Sequence, residues 1–150
     1  MQITRRSVLA GAGTVMGAGT LILPALANTL LAAEGAPADA GADAGALAAA
    51  ASGCVEAGNV CLQHCLDLLA KGDTSLAECS QAVRQMLAIC GAVGPVADAR
   101  SKYLKPLARL CLDVCTDCEQ ACRKHEAHHA ACKHCAEACA KTIDAARHFI

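Results

Sequence analysis

Cysteine is the residue type in this sequence with the most chemistry to offer. The 150-residue chain has 12 cysteines, and none lies before Cys54. They form four groups, within which successive cysteines are 3, 4, 7 or 11 residues apart. These steps return to one face of an α-helix, so the pattern predicts four helices with a stripe of thiols on each. The groups are Cys54, Cys61 and Cys65; Cys79 and Cys90; Cys111, Cys115, Cys118 and Cys122; and Cys132, Cys135 and Cys139.

Thiols at this density are typical of a disulfide scaffold, a metal site or a redox centre. Cysteines on one helix face lie ~5–6 Å apart, too far for a disulfide, which needs Cβ atoms ~3.8 Å apart. Disulfides between helices remain open. A tetrahedral zinc site needs only four ligands, and neither a ferredoxin-type cysteine run nor the C-x-x-C-H motif of haem attachment is in the sequence.

Cu(I) fits this pattern best, because it is a soft ion that selects thiolate and thioether ligands. Two thiolates one helical turn apart can hold it, and C-x3-C on a helix has that spacing. If each thiolate bridges two ions, the capacity approaches one copper per cysteine, on the order of 12 ions. Met86, on the second stripe, is a candidate thioether ligand. The four C-x3-C pairs are Cys61–Cys65, Cys111–Cys115, Cys118–Cys122 and Cys135–Cys139.

The segments that carry the cysteines are rich in strong helix formers, and Gly and Pro separate them. We predict that Gly72 ends the first helix, that Gly91, Gly94 and Pro95 end the second, and that Pro106 kinks or divides the third. Four amphipathic helices with short links predict an all-α, antiparallel four-helix bundle over residues 46–150, with a cysteine-lined interior. The predicted helices are Leu47–Lys71, a second from a cap at Asp73 or Thr74 to about Cys90, Val96–His125 and Ala127–Arg147.

The first 27 residues have the order of an export signal: a basic segment, an apolar segment and then small residues. The segment TRRSVL, from Thr4 to Leu9, resembles the twin-arginine motif. Ala25-Leu26-Ala27 offers a cleavage site. We therefore expect an exported, periplasmic protein that has no membrane segment after cleavage. Residues 28–45, rich in Ala, Gly and Asp, are expected to be a flexible mature N-terminus.

Composition excludes several classes of function. The chain has no Trp, one Tyr and one Phe, and its formal net charge is −1. Nucleic acid is therefore an unsuitable partner, because no aromatic platform and no basic field are available. We expect no enzyme either, since the sequence contains no nucleophile–base pair, phosphate-binding loop or paired-carboxylate motif. The alternatives that stay open are a disulfide-stapled periplasmic structural or interaction domain and a thiol redox protein.

The repeated C-x3-C segments CLQHC, CLDVC, CEQAC and CAEAC, together with the twin-arginine signal, carry a family resemblance. The chain resembles the exported branch of the copper storage proteins from residue 54 to the C-terminus. That resemblance implies a four-helix bundle that stores many Cu(I) ions in its interior and that often assembles as a homotetramer. Donors and recipients of the copper are not implied for this chain.

Histidines are concentrated where one end of the bundle is expected. In an up-and-down bundle, Cys65, Cys79, Cys122 and Cys132 meet at the same end. The histidines near them in sequence predict a copper entrance there, with His125, His128, His129 and Met86 as candidate entry ligands and with His64 and His134 nearby. The opposite end is expected to be closed by Leu104, Leu107 and Ile143.

Overall fold

The computed structural model describes residues 38–150, and within them the chain forms four α-helices and no strand. The twin-arginine segment, its cleavage site and residues 28–37 lie outside the described residues. The helices are α1 (Ala38–Leu69), α2 (Ala77–Asp98), α3 (Leu104–Arg123) and α4 (Ala130–Phe149). Neighbours in the bundle are α1 with α2, α2 with α3, α3 with α4, and α4 with α1. The predicted four-helix bundle is confirmed.

Helix α1 begins nine residues before the predicted start at Leu47, so residues 38–45 are helical. Alanine, the strongest helix former, occupies every second position of this segment. The helix ends as predicted in front of Gly72, which has a positive φ of 85°. The N–H of Gly72 donates to the carbonyl of Leu69 and that of Asp73 to the carbonyl of Leu68, the two hydrogen bonds of a Schellman motif. Glycine adopts this backbone conformation without steric cost.

The prediction that α2 ends near Cys90 is wrong, because the helix continues through Gly91, Gly94 and Pro95 to Asp98. Each glycine inside a helix costs only about 1 kcal/mol relative to alanine. Burial of Cys90 and Val93 on the same face offsets that cost. The helix ends in a second Schellman motif around Arg100, whose φ is 47°. In it, Ser101 N–H donates to Val96 O and Arg100 N–H to Ala97 O.

Helix α3 begins at Leu104, so residues 96–98 belong to α2 and the predicted start at Val96 is wrong. Pro106 therefore lies in the first turn, where its missing N–H breaks no helical hydrogen bond. It neither kinks nor divides the helix, and this prediction is corrected as well. Helix α4 starts three residues later and ends two residues later than predicted.

The core between the helices contains sulfur and small aliphatic groups instead of aromatic rings. All twelve cysteines are buried, each no more than 2% exposed. The largest fully buried side chains are Leu47, Leu76, Met86, Val83 and Val93. Thr142 is also fully buried, and its hydroxyl donates to the carbonyl of Ala50 or Ala138. A core of this kind buries less area per residue than one with Phe or Trp.

Helix α1 is long and apolar enough over Gly41–Leu69 to cross a membrane by the criterion of length and composition alone. In the bundle, its thiol stripe is buried against α2 and α4. Much of the remaining apolar character comes from alanines. Hydropathy alone therefore does not distinguish a membrane-spanning helix from a core helix, and in this structure the segment packs as a helix of the bundle.

Candidate metal centre

The twelve thiols converge on the interior of the bundle as free cysteines. Among residues 38–150, which contain all of them, none forms a disulfide. Neighbouring sulfur atoms on different helices lie 3.4–4.0 Å apart, well beyond the ~2.05 Å of an S–S bond. The predicted cysteine-lined interior is confirmed, and the disulfide-stapled alternative is contradicted. Because the stripes face inward from all four helices, each thiol has sulfur neighbours from other helices.

At the end where α1 and α3 finish and α2 and α4 begin, five thiols form one cluster. Sγ of Cys79 lies 3.4 Å from Sγ of Cys122 and 4.0 Å from Sγ of Cys132. Cys61 is the centre of the cluster, 3.9–4.0 Å from Cys79, Cys122 and Cys132. The sulfur atoms of Cys61, Cys65, Cys79 and Cys132 all lie within 4.8 Å of one another. Four helices thus contribute ligands to one small volume.

A second cluster lies deeper, toward the start of α1 and the end of α2. Sγ of Cys90 is 3.4 Å from Sγ of both Cys111 and Cys115. Cys54, Cys90 and Cys115 form a group within 4.8 Å, and Sγ of Cys54 is 3.5 Å from Sγ of Cys139. Each of the four helices again contributes at least one sulfur. Such groups of three or four soft donors match the ligand preference of monovalent copper.

Met86 lies in this deeper cluster and not at the end where its proposed entry role would place it. Its side chain is fully buried, and its Sδ accepts from the thiol of Cys54 at 3.4 Å. Gly58 makes room for it, since a Cβ at that position would lie 2.5 Å from the Met86 methyl carbon and 3.0 Å from Leu87 Cδ2. The entry role of Met86 is therefore corrected, while its thioether remains available as an internal ligand.

Three of the predicted histidines come together beside the first cluster. Nε2 of His64 lies 2.9 Å from Nδ1 of His129, a hydrogen-bond distance. The ring of His125 stands 6.3 Å from that of His129, nearly edge-on. All three side chains are partly buried, whereas those of His128 and His134 are exposed. We define the histidine end of the bundle by His64, His125 and His129.

The opposite end is closed by aliphatic side chains. Leu104 and Ile143, predicted for this role, are 6% and 4% exposed. Leu107 is only partly buried and packs against the core from outside. Leu47 and Val93, which are fully buried, complete the plug. We refer to this end as the closed end, because the side chains named here are aliphatic and offer no ligand atom to an arriving ion.

Thr142 is a buried polar residue of the interior that sequence reasoning did not single out. It lies three residues after Cys139, on the same helix face, and its spacing to the stripe was the signal that could have identified it. Its hydroxyl reaches the backbone of α1 at Ala50. We therefore assign it to positioning α4 against α1 next to the deeper thiols.

The electrostatics of the first cluster favour a single thiolate among protonated thiols when metal is absent. Burial raises the pKa of Cys65 to about 12 and that of Cys132 to about 11, and in both cases repulsion from a Cys79 thiolate is the next cause. Hydrogen bonds from Cys122 and then Cys61 lower the pKa of Cys79. One thiolate is thus favoured while its neighbours keep their protons. A metal ion that binds here must displace protons, and its positive charge replaces them.

The comparison with known proteins agrees with this geometry. Residues 42–150 match the family described as "Copper storage protein". The "Uncharacterized cysteine-rich protein YhjQ" of Bacillus subtilis (strain 168) is 31% identical over 85 residues, which is 57% of this chain and 75% of that protein. The match to the family includes all four thiol stripes. The buried, disulfide-free thiols and this match together show that the chain belongs to the copper storage protein family.

Proposed function

We propose that this protein stores copper as Cu(I), with on the order of one ion per cysteine and with thiolate ligands throughout. The observation that carries the proposal is the packing of twelve buried, free thiols into clusters whose sulfur atoms are 3.4–4.0 Å apart. At such distances one thiolate can bridge two ions, which raises the capacity above that of isolated sites. The match to the copper storage protein family favours a role without turnover of a substrate, so we propose no enzymatic role.

Charge balance supports the monovalent ion. Burying charges without compensation is very costly, so a buried array needs equal numbers of positive and negative charges. Twelve thiolates with about twelve Cu(I) ions are nearly neutral, whereas the same number of divalent ions would leave a large positive charge in the core. Cu(I) also prefers sulfur to oxygen ligands, and the buried side-chain oxygens among the described residues are those of Ser80 and Thr142.

Anaerobic titration of the reduced, metal-free protein with Cu(I) tests this function. We expect thiol titration in denaturant to find twelve reduced cysteines, and Cu(I) binding to saturate at about twelve ions per chain. The same chain titrated with Zn(II) serves as the control and is expected to bind far fewer ions, since zinc requires tetrahedral sites. Saturation with Cu(I) at one or two ions would contradict storage and favour a thiol redox protein.

Copper enters at the histidine end in this proposal. His64 and His129 lie beside Cys65 and the cluster around Cys61, and imidazole is a suitable copper ligand. The earlier candidates His125 and His128 stay in the proposal, with His128 reaching solvent. The ion would exchange from imidazole to thiolate as it moves inward.

Replacing His64 and His129 together by alanine is expected to slow Cu(I) uptake at least about tenfold while leaving the final capacity unchanged. Stopped-flow loss of a coloured Cu(I) chelate measures the rate. His148→Ala is the matched control, because His148 is exposed near the closed end, where its Nδ1 lies 2.7 Å from the Asp144 carbonyl oxygen. The single variants His125→Ala and His128→Ala are expected to have smaller effects. Equal slowing by His148→Ala would argue against entry at the histidine end.

Export through the twin-arginine route is part of the proposal and rests on residues 1–27. This route moves folded proteins, so the bundle would form before it meets an oxidising compartment. Replacing Arg5 and Arg6 by lysine is the test, with cell fractionation as the readout. The family resemblance further leads us to propose a homotetramer in the periplasm, which light scattering on the purified bundle measures.

A further inference from the structure

The sulfur atoms of the interior fall into two compartments. We name the outer compartment by its five thiols beside the histidine end: Cys61, Cys65, Cys79, Cys122 and Cys132. We name the inner compartment by its deeper sulfur ligands: Cys54, Cys90, Cys111 and Cys115, together with the Met86 thioether. Cys61 follows Cys54 by 7 positions on α1, and Cys90 follows Cys79 by 11 positions on α2.

Hydrocarbon separates the two compartments on the side of α1 and α2. Val83 is fully buried and holds the position on the α2 stripe between Cys79 and Met86. Gly58 holds the matching position on α1, and the ends of Met86 and Leu87 fill the space it leaves. Neither Val83 nor Gly58 has a side-chain donor for a metal ion. The thiol stripes of both helices are therefore interrupted at the same level of the bundle.

On the side of α3 and α4 the sulfur atoms are continuous. Cys118, Cys135 and Cys139 lie within 4.8 Å of one another, and we call them the thiol bridge. At its outer end, Cys135 groups with Cys61 and Cys122. At its inner end, Sγ of Cys139 is 3.5 Å from Sγ of Cys54. The bridge thus has a sulfur neighbour in each compartment.

Cu(I) in a thiol-lined core moves by ligand exchange. One Cu–S bond forms as another breaks, the proton of the incoming thiol passes to the released thiolate, and copper remains monovalent. Each step needs an acceptor sulfur close to the one that is left, because an ion that loses its ligands in a hydrocarbon region pays a large desolvation cost. Val83 and Gly58 supply no such acceptor, and the Met86 thioether that reaches Gly58 is a neutral ligand without a proton to exchange, whereas the thiol bridge supplies three thiols.

We infer that copper passes from the outer to the inner compartment through Cys118, Cys135 and Cys139, and that these residues set the rate at which the inner compartment fills. The inference rests on the proposed storage of Cu(I) and on entry at the histidine end. It assigns two different roles to chemically identical cysteines, since those of the bridge conduct as well as store. The position of each residue along the bundle axis decides which role it has.

The test replaces two bridge thiols by a hard donor, in Cys118→Ser/Cys135→Ser. Its matched control, Cys90→Ser/Cys111→Ser, also loses two thiols but keeps the bridge. Uptake from a coloured Cu(I) chelate is followed anaerobically in both. We expect the bridge variant to fill the outer compartment at the wild-type rate and the remainder at least about tenfold more slowly. The control is expected to lose capacity without gaining a slow phase.

A third variant adds a thiol where the gap lies. Val83→Cys in the bridge-deficient background places a sulfur between Cys79 and Met86 and is expected to restore fast filling. If the bridge-deficient chain does not fold, as judged by circular dichroism, Val83→Cys in the natural chain decides the matter. It is then expected to speed the late part of uptake, and an unchanged rate overturns the inference.

These experiments distinguish failure of the proposed storage function from failure of the inferred path through the thiol bridge. A natural chain that binds only one or two Cu(I) ions overturns the proposed function. The second failure is a natural chain that binds about twelve Cu(I) ions together with a bridge-deficient variant that fills as fast as the natural chain. That result overturns only the inferred conduction through Cys118 and Cys135. Slow filling that Val83→Cys does not restore also overturns it, because the slowing would then come from a distorted bundle.

Discussion

Loading the reduced bundle with Cu(I) is expected to raise its thermal unfolding midpoint by at least about 20 °C. A ligand present at a thousand times its Kd stabilises the folded state by about 4 kcal/mol per site. In a domain of this size, about 1 kcal/mol corresponds to 4–8 °C. In the proposed function several ions bind, and we expect each to join two or more helices through thiolates such as Cys61, Cys79 and Cys122, whose sulfur atoms already lie within 4.0 Å.

The physical reason is the weakness of the metal-free core. A core without buried aromatic side chains gains less from burial than is usual, and its thiols keep close contact only through weak S–H interactions. The unfolded chain also binds Cu(I), but it lacks the preorganised clusters and so binds less tightly. Circular dichroism melts with and without Cu(I) measure the shift. A chain in which Cys61, Cys79 and Cys122 are all serine is the control, and a shift as large in that variant would argue against clusters as its cause.

Leu47→Ala is expected to lower the free energy of unfolding of the metal-free protein by about 3 kcal/mol. Leu47 is fully buried and lies at the closed end among Val93, Leu104 and Ile143. Few other large side chains are available there to collapse into the cavity. Since folded domains are stable by only about 5–15 kcal/mol, this single change removes a large share. The corresponding fall in the unfolding midpoint is more than about 10 °C.

Urea titration followed by circular dichroism measures this loss. Leu66→Ala is the matched control, because Leu66 lies on the same helix but is 47% exposed, and its replacement is expected to change the stability by less than about 0.5 kcal/mol. Leu47 donates no ligand, so the Cu(I) capacity of the folded variant is expected to equal that of the natural chain. Equal losses in the two variants would mean that the closed end is not packed as described.

The helical periodicity of the cysteines predicted the thiol-lined bundle because the steps 3, 4, 7 and 11 are a local property of the helix. The predicted metal, Cu(I), followed equally directly, because many soft thiol ligands favour a soft metal ion. Helix ends were predicted well where one residue controls them, as Gly72 does with its positive φ. They were predicted poorly where packing controls them, as at Gly91, Gly94 and Pro95, which α2 incorporates.

Which sulfur atoms meet across helices was decided only by the tertiary structure. The sequence places Met86 on a stripe, but the depth of that position and the room at Gly58 depend on how closely α1 and α2 approach. Likewise, the pairing of His64 with His129 requires the ends of two helices to be brought together. Periodicity determines a face of each helix. The axial offset between neighbouring helices, which the packing of Val83, Leu47 and their partners determines, decides where thiols are continuous and where hydrocarbon interrupts them.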